Sequence, residues 1–170
     1  ACCKPIYYDY NGPIIRNVSP NHGVTVGGTN VAIHGKNFGA VDHMPTVTID
    51  GDPCPQIMWK SDELILCASP SGWGTGKAVK VTVGDQMDRD SALWNYDIPE
   101  VHSVEPSVCP TRGDCLLKIR GLNYGHEQGN HLRAFVGGKP CANVDRHDQP
   151  LLVNQTSMEC VVPSGVGKKL

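Results

Sequence analysis

The stretch "HGKNFG" at residues 34–39 recurs as "RGLNYG" at residues 120–125. An offset of 86 positions also aligns residues outside this motif; the pairs include Tyr10 with Tyr96, Val18 with Val104, Pro20 with Pro106, and Ile33 with Ile119. A period this long, carrying its own strands and turns, indicates tandem domains of about 85 residues rather than short stacking units. The sequence therefore predicts two copies of one small module.

The two copies differ by insertions after this motif. One residue is inserted before "GGKPC" (137–141), which aligns with "DGDPC" (50–54). A longer insertion precedes "ECVVPSGVG" (159–167), which aligns with "LCASPSGWG" (66–74). Insertions of this kind belong in surface loops.

Short segments rich in Val, Ile and Thr alternate with turn residues along the first copy. They are "NVAIHG" (30–35), "PTVTID" (45–50), "ELILC" (63–67) and "KAVKVTVG" (77–84). Period-two alternation with a turn signal every eight to twelve residues or so predicts an all-β chain of immunoglobulin-like β-sandwiches in tandem. The residues expected to point inward are Val31, Ile33, Val47, Ile49, Val79, Val81 and Val83.

The composition fits small β domains that need cross-links. The 170 residues include two Phe, three Trp and five Tyr, against 19 Gly, 13 Pro and eight Cys. A domain of this size buries only a modest fraction of its surface, so disulfides would supply stability that the core lacks. The formal net charge of −2 gives no general attraction to nucleic acid or to an anionic membrane.

Two cysteine pairs repeat with the module. Cys54 and Cys67 lie in the first copy, and Cys141 and Cys160 occupy the aligned places in the second. Closing a loop of about 15 residues is worth roughly 3 kcal/mol in the chain-entropy account, a large share of a small domain's stability. The repeated spacing therefore predicts one disulfide in each copy.

The remaining cysteines are specific to one copy. Cys109 and Cys115 lie in "CPTRGDC", which replaces the "GVTVGG" turn of the first copy, and they are expected to bridge that loop. Cys2 and Cys3 have no counterpart in the repeat, so no partner is assigned to them. Zinc ligation is the alternative to disulfides, although the C-x-x-C spacing of many zinc sites does not occur.

The order of motifs resembles the IPT/TIG domain, the immunoglobulin-like fold shared by plexins and some transcription factors. The matching motifs are "P-x-I-x-x-V-x-P", "GGT-x-V-x-I-x-G-x-N-F-G", "V-x-I-x-G-x-x-C" and "L-x-C-x-x-P". The resemblance implies a first TIG domain over residues 13–98 and a second, C-terminally incomplete one over residues 99–170. Residues 1–12 resemble the closing strand of a preceding TIG repeat, because "YYDYNGP" (7–13) aligns with "LWNYDIP" (93–99).

The motif residues have expected roles in this fold. Gly35 and Gly39 are expected to permit turns with positive φ around Asn37, whose side chain can bond to nearby backbone. Phe38 and its counterpart Tyr124 are expected to cover the sheet edge.

The second copy lacks equivalents of "VKVTVG" and "ALWNYD" after "GVGKKL". An unfinished sandwich exposes an open sheet edge, which is a site for pairing. Two explanations stay open. The chain is a segment of a longer array of TIG domains, or residues 1–12 of one subunit complete the second domain of its neighbour and build a head-to-tail filament.

Two sequons agree with the oxidising compartment that paired cysteines suggest. "NVS" offers Asn17 and "NQT" offers Asn154 for N-linked glycan. Asn154 lies in the insertion between Cys141 and Cys160, and Asn17 alternates with the inward Val18. The protein is therefore expected outside the cell or on its surface, carrying N-linked glycans and no cofactor.

Catalytic and metal-binding patterns are weak in this sequence. "GWGTGKA" (72–78) lacks the spacing of a phosphate-binding loop, and neither "DGD" (50–52) nor "DQMDRD" (85–90) has the twelve-residue pattern of a calcium loop. The seven His residues are scattered through strands and polar loops, where surface positions are the default. We therefore expect no enzyme activity and no metal site.

The favoured function is an extracellular structural or adhesion protein whose partners are other proteins or copies of itself. One alternative is a spacer or sugar-binding module of a secreted carbohydrate-active enzyme, with Trp59, Trp73 and Trp94 stacking on sugars. Another is a Rel-like DNA-binding protein, which would need a basic stripe and reduced cysteines. Neither nucleic acid nor direct membrane insertion is expected for this segment.

Overall fold

A computed structural model describes residues 8–88, 92–125, 132–142 and 151–167. Within these ranges the chain forms strands and turns without a helix, so none of the described residues belongs to a membrane-crossing helix. Two compact units are present. One holds most of the chain up to residue 95, and the other holds the residues from 96 onward together with the loop residues 23–28 and 71–75.

The first repeat folds as an immunoglobulin-like β-sandwich, as predicted. Its strands are β1 (Ile14–Ser19), β2 (His22–Gly23), β3 (Asn30–Lys36), β4 (Thr46–Ile49), β5 (Asp52–Pro53), β6 (Ile57–Ser61), β7 (Leu64–Ala68), β8 (Lys77–Val83), β9 (Gln86–Met87) and β10 (Ala92–Tyr96). One sheet has the order β1-β3-β7-β6. The other has the order β2-β10-β8-β4-β5, with β9 paired to β8.

Alternation along the strands forms the core of this sandwich. Six of the seven residues predicted to point inward are buried: Val31, Ile33, Val47, Ile49, Val79 and Val81. The prediction for Val83 was wrong, because this residue ends β8 beside the turn into β9 and is only half-buried. Trp94 on β10 and Ile65 on β7 complete the core as fully buried side chains.

The second repeat forms one complete sheet and a short hairpin. Its strands are β11 (Glu100–Glu105), β12 (Leu116–Leu122), β13 (Phe135–Val136), β14 (Lys139–Pro140), β15 (Leu151–Asn154) and β16 (Ser157–Val161). The order β11-β12-β16-β15 repeats that of β1-β3-β7-β6, and β13-β14 corresponds to β4-β5. Among the described residues there is no counterpart of β8 or β10.

The asparagine of the repeated motif acts as predicted in both repeats. Asn37 and Asn123 have φ angles of 62° and 60°. Asn37 Nδ2 donates to the carbonyl oxygen of Gly12 at 3.0 Å, and Asn123 Nδ2 donates to that of Ile98 at 3.3 Å. Each asparagine therefore ties the end of its strand to the segment that enters the same repeat.

The expected roles of Gly35 and Phe38 were wrong in one respect each. Gly35 does not lie in the positive-φ region; a Cβ there would overlap the carbonyl oxygen of Ile14 and the Phe38 ring. Phe38 is fully buried in the core rather than at a sheet edge. The glycine is therefore required by close approach of an aromatic ring, and only Gly39, with φ of 103°, is required by backbone conformation.

Candidate interaction site on the second repeat

The first strand of each repeat shows the largest difference between them. On β1, Ile15 and Val18 have exposed fractions of 6% and 5%, whereas Val101 and Val104, aligned on β11, have 62% and 46%. Their backbone environment is the same, because β1 pairs antiparallel with β3, β11 pairs antiparallel with β12, and both pairings shift register at the aligned position. The difference therefore lies in what covers the inner face.

The second sheet provides that cover in the first repeat. Strand β1 contacts β8, which runs between β10 and β4 in the opposite sheet. In the second repeat, Leu117, Ile119 and Met158 pack around the Cys141–Cys160 bridge, but this core leaves the β11 side chains in solvent. Val101 and Val104 thus form an exposed apolar face, which we call the open face.

A second group of exposed aromatic side chains lies near the start of the described chain. Tyr8 and Tyr10 have exposed fractions of 81% and 79%, and their rings meet edge to face with centroids 5.4 Å apart. The offset of 86 aligns them with Trp94 and Tyr96 of β10, which are buried. We call residues 8–10 the donor segment, because it has the side chains of a closing strand without burying them. The alignment with Trp94 was the signal in the sequence for these two tyrosines.

The structure joins two of the predicted cysteine pairs. Cys141, which follows β14, is bonded to Cys160 of β16, and both residues are fully buried. Cys109 is bonded to Cys115 across the loop that leads into β12. The second repeat is therefore cross-linked both in its core and at its entry loop.

The third predicted pair is in contact but not bonded. The sulfurs of Cys54 and Cys67 lie 3.2 Å apart in the core of the first repeat, and both cysteines are free. The neighbouring Cys54 sulfur and then burial raise the pKa of Cys67, whereas the contact with Cys67 lowers the pKa of Cys54. The two thiols are therefore close enough to influence each other's ionisation, and the thiolate is the form that attacks in disulfide formation.

The predicted glycosylation residues are both exposed. Asn17 lies in the middle of β1, paired with His34 of β3. Asn154 is the last residue of β15, at the turn into β16. The two sequons therefore occupy different backbone environments.

The three tryptophans do not form a common surface. Trp94 is fully buried, the indole nitrogen of Trp59 is buried, and Trp73 has an exposed fraction of 44%. Within residues 8–88, 92–125, 132–142 and 151–167, no cluster of three or more His, Cys, Asp or Glu side chains could hold a metal ion. Cys2 and Cys3 lie outside the described residues.

Comparison with known proteins identifies the repeated module. The family model of the IPT/TIG domain matches residues 13–96 and 99–170. The chain therefore belongs to the IPT/TIG domain family, and it contains two such domains in tandem.

The relatives are long proteins of one kind. Plexin-A2 of Mus musculus is 31% identical over 95% of this chain and 9% of its own length, and Plexin-2 of Caenorhabditis briggsae is 26% identical over 85% of this chain and 8% of its own length. A solved structure of the Plexin A4 full extracellular region, domains 1 to 10, matches with a TM-score of 0.46 and 24% identity over 91% of this chain and 13% of that one. The chain thus spans less than a tenth of the length of these two relatives.

The cellular compartment follows from the same features. Disulfides form and persist in oxidising environments, and the second repeat contains two of them. Together with the similarity to plexins, they indicate an extracellular or cell-surface protein, as predicted.

Proposed function

We propose that this chain is a non-enzymatic structural and adhesive unit of an extracellular assembly, and that copies associate head to tail through strand donation. The observation that supports the proposal is that two apolar surfaces, the donor segment and the open face, are both exposed to solvent. The donor segment has two exposed tyrosines at the positions of a closing strand, and the open face is apolar surface of the kind that the second sheet covers in the first repeat.

In this arrangement the donor segment of one copy takes the place of β10 in the second repeat of another. Tyr8 and Tyr10 alternate in the manner of Trp94 and Tyr96, so both rings would face the core side. The affinity would come from apolar contact, because β10 pairs with β2 and β8 and the described part of the second repeat has no counterpart of β8. Because donor and acceptor are different surfaces, such contacts do not close into a pair and can extend into a chain of copies.

The magnitudes favour a weak association. Burying two tyrosines and two valines gains roughly 6–12 kcal/mol at about 1.5–3 kcal/mol for each side chain. Association costs about 4–15 kcal/mol in lost translational and rotational freedom, so the surplus is small. The association should therefore depend on concentration, which suits an adhesive contact made many times over.

The other two function classes receive less support. A sugar-stacking platform needs accessible aromatic faces, and Trp94 is buried in the core. A Rel-like DNA-binding protein works with reduced cysteines, whereas the second repeat contains two disulfides and the chain has a net charge of −2. The similarity to plexins supports a role as a protein-contacting part of an ectodomain.

Light scattering coupled to size-exclusion chromatography tests the proposal with two double variants. The donor variant, Tyr8→Ser with Tyr10→Ser, and the acceptor variant, Val101→Ser with Val104→Ser, each lose one half of the contact. Wild-type mass should rise with concentration, and each variant alone should stay monomeric. Mixed together, the variants should form one-to-one complexes that grow no further, because only one intact donor and one intact acceptor remain.

A control variant replaces two exposed apolar side chains at another place in the chain. Val41→Ser with Met44→Ser changes two exposed side chains of a first-repeat loop and should leave association unchanged. Wild-type protein that stays monomeric at its highest soluble concentration would overturn strand donation. Association that persists in both variants would place the contact on another surface.

A further inference from the structure

The sequon at Asn154 forms a compact local turn. Asn154 Oδ1 accepts hydrogen bonds from the backbone N–H of Thr156 at 2.9 Å and from the Thr156 hydroxyl at 3.0 Å. Both bonds join residues two positions apart, so the turn depends on three consecutive residues and not on the rest of the sandwich. They use Oδ1 and leave Nδ2, the atom that glycosylation modifies, without a partner among the described residues.

The sequon at Asn17 lacks this local arrangement. Asn17 and Ser19 pair with His34 and Ala32 as part of strand β1, so their conformation depends on β3. Ser19 also precedes Pro20, and a residue before proline is restricted to extended backbone. The Ser19 hydroxyl is therefore held away from the folded-back position that Thr156 occupies.

We propose that Asn154 is the main N-glycosylation site of this chain and that Asn17 is modified much less. The co-reactant is a membrane-bound polyprenyl-pyrophosphate oligosaccharide, used by a transferase of the secretory pathway. The Asn154 Nδ2 attacks C1 of the first sugar, an N–C bond forms, and the C1–O bond to the pyrophosphate breaks. Nδ2 loses one proton, and the lipid pyrophosphate leaves.

This inference extends the proposed function without depending on strand donation. Asn154 is exposed at the tip of the β15–β16 hairpin, where a bulky glycan can be accommodated without disturbing the core. The expectation that Asn154 lies in the insertion was wrong, because the β15–β16 turn is equivalent to the β6–β7 turn of the first repeat. Ser61 occupies the aligned place there and accepts a hydrogen bond from the backbone N–H of Glu63 at 3.2 Å, but it has no amide nitrogen to modify.

Site-specific occupancy of the full chain secreted from eukaryotic cells tests the proposal. Enzymatic deglycosylation in heavy-oxygen water converts each formerly glycosylated Asn into a labelled Asp that peptide mass spectrometry can count. Occupancy at Asn154 should exceed that at Asn17 by several-fold. Thr156→Ser should keep most of it because the hydroxyl remains, and Thr156→Ala should remove it.

A second variant separates the local turn from the mere presence of a sequon. Pro20→Ala frees Ser19 from the restriction before proline and should raise occupancy at Asn17 while leaving Asn154 unchanged. Secreted protein that is unmodified at Asn154 would overturn the proposal, and so would equal occupancy at both sites in the wild type. An unchanged Asn17 occupancy in Pro20→Ala would contradict the explanation for the difference.

Discussion

The two repeats share one sheet and differ in what covers it. β1-β3-β7-β6 and β11-β12-β16-β15 have the same strand order, the same glycine under an aromatic ring, and a cysteine pair at the same place. Among the residues that the structure describes, only the first repeat has a second sheet containing β8 and β10, and β8 contacts its first strand. The motif "G-x-N-aromatic-G" and the cysteine pair therefore accompany the four-stranded sheet in both repeats, whereas burial of its first strand depends on a separate sheet.

Cross-linking also differs between the repeats. The second repeat contains two disulfides, and in the first the cysteine pair is in contact without a bond. By constraining the unfolded chain, the Cys109–Cys115 loop adds stability to a small domain.

Removing the cysteine pairs should cause the largest loss in the free energy of unfolding. It also tests whether the two pairs stabilise their repeats equally. Cys141→Ala with Cys160→Ala should destabilise the second repeat by about 3 kcal/mol, because it frees the unfolded chain. We propose that Cys54 and Cys67 are bonded in secreted protein, so Cys54→Ala with Cys67→Ala should cost the first repeat about as much. Chemical denaturation measures both losses, with Trp fluorescence reporting the first repeat, which contains all three Trp.

A direct measurement shows whether Cys54 and Cys67 form a disulfide, with Cys141 and Cys160 as the control pair. Peptide mapping without reduction should find these cysteines linked in secreted protein and should find Cys141 linked to Cys160. Free, alkylatable thiols at Cys54 and Cys67 would show that the two repeats differ in their covalent structure as well as in their cover.

Truncating the first strands should give unequal losses in the two repeats. Ile15→Ala should cost about 3 kcal/mol because it leaves a cavity between two sheets. Val101→Ala should cost less than about 0.5 kcal/mol in dilute solution, because that side chain is already exposed. Denaturation at low protein concentration compares them, and an equal loss would mean that β11 is covered in the free chain.

Adding a methyl group at the motif glycine should destabilise both repeats alike. In Gly35→Ala the Cβ meets Ile14 and Phe38, and in Gly121→Ala it meets Glu100 and Tyr124, so each should cost about 2 kcal/mol by overpacking. Gly165→Ala is the matched control, since a Cβ there meets no atom within 4 Å. Melting curves that show no loss for Gly121→Ala would contradict the shared role of the glycine.

Exchanging the motif aromatics should have different effects on the stability of the two repeats. The buried Tyr124 hydroxyl has no hydrogen-bond partner among the described residues, and Phe38 fills the aligned place. Tyr124→Phe should therefore be neutral or stabilising by up to about 1 kcal/mol, whereas Phe38→Tyr should cost about 1–3 kcal/mol by burying an unpaired hydroxyl. A destabilised Tyr124→Phe would reveal a partner for the hydroxyl.

The difference in stability between the wild type and Tyr124→Phe should depend on pH. Burial raises the pKa of Tyr124 above its ordinary value of 10.0. The stability that the protonated phenol contributes is fully present below about pH 10 and is lost as the pH rises through the higher pKa of the folded state. Wild-type protein should therefore lose stability relative to Tyr124→Phe in alkaline solution, and parallel curves would contradict the shift.

Much of the fold could be predicted from the sequence because it depends on local patterns. Alternating Val and Ile identified the buried faces of β3, β4 and β8, and the repeat identified the cysteine positions. The predicted role of Gly35 was wrong because its actual role depends on the Phe38 ring, which folds back across the strand. A glycine in a turn motif can be required either by a positive φ or by close approach of another group, and the motif alone does not distinguish the two. The prediction that Val83 is buried was wrong because alternation along a strand does not show where the opposite sheet stops covering it.

The candidate site could be predicted only in part. The missing strands predicted an open edge, but the exposure of Val101 and Val104 depends on which element lies across from them, and no local pattern encodes that. The alignment of Tyr8 with Trp94 identified the donor segment as a closing strand. The contact between Cys54 and Cys67 followed from their spacing, whereas their oxidation state depends on chemistry outside the sequence pattern.

The central claim is that the open face is exposed in the free chain and covered when copies meet. Hydroxyl-radical footprinting read by mass spectrometry, at low and at high protein concentration, measures side-chain exposure directly. The account predicts that Tyr8, Tyr10 and Val101 are labelled in dilute protein and protected in concentrated protein, while Met44 is labelled equally in both. Labelling of Tyr8 and Val101 that does not change with concentration would contradict it.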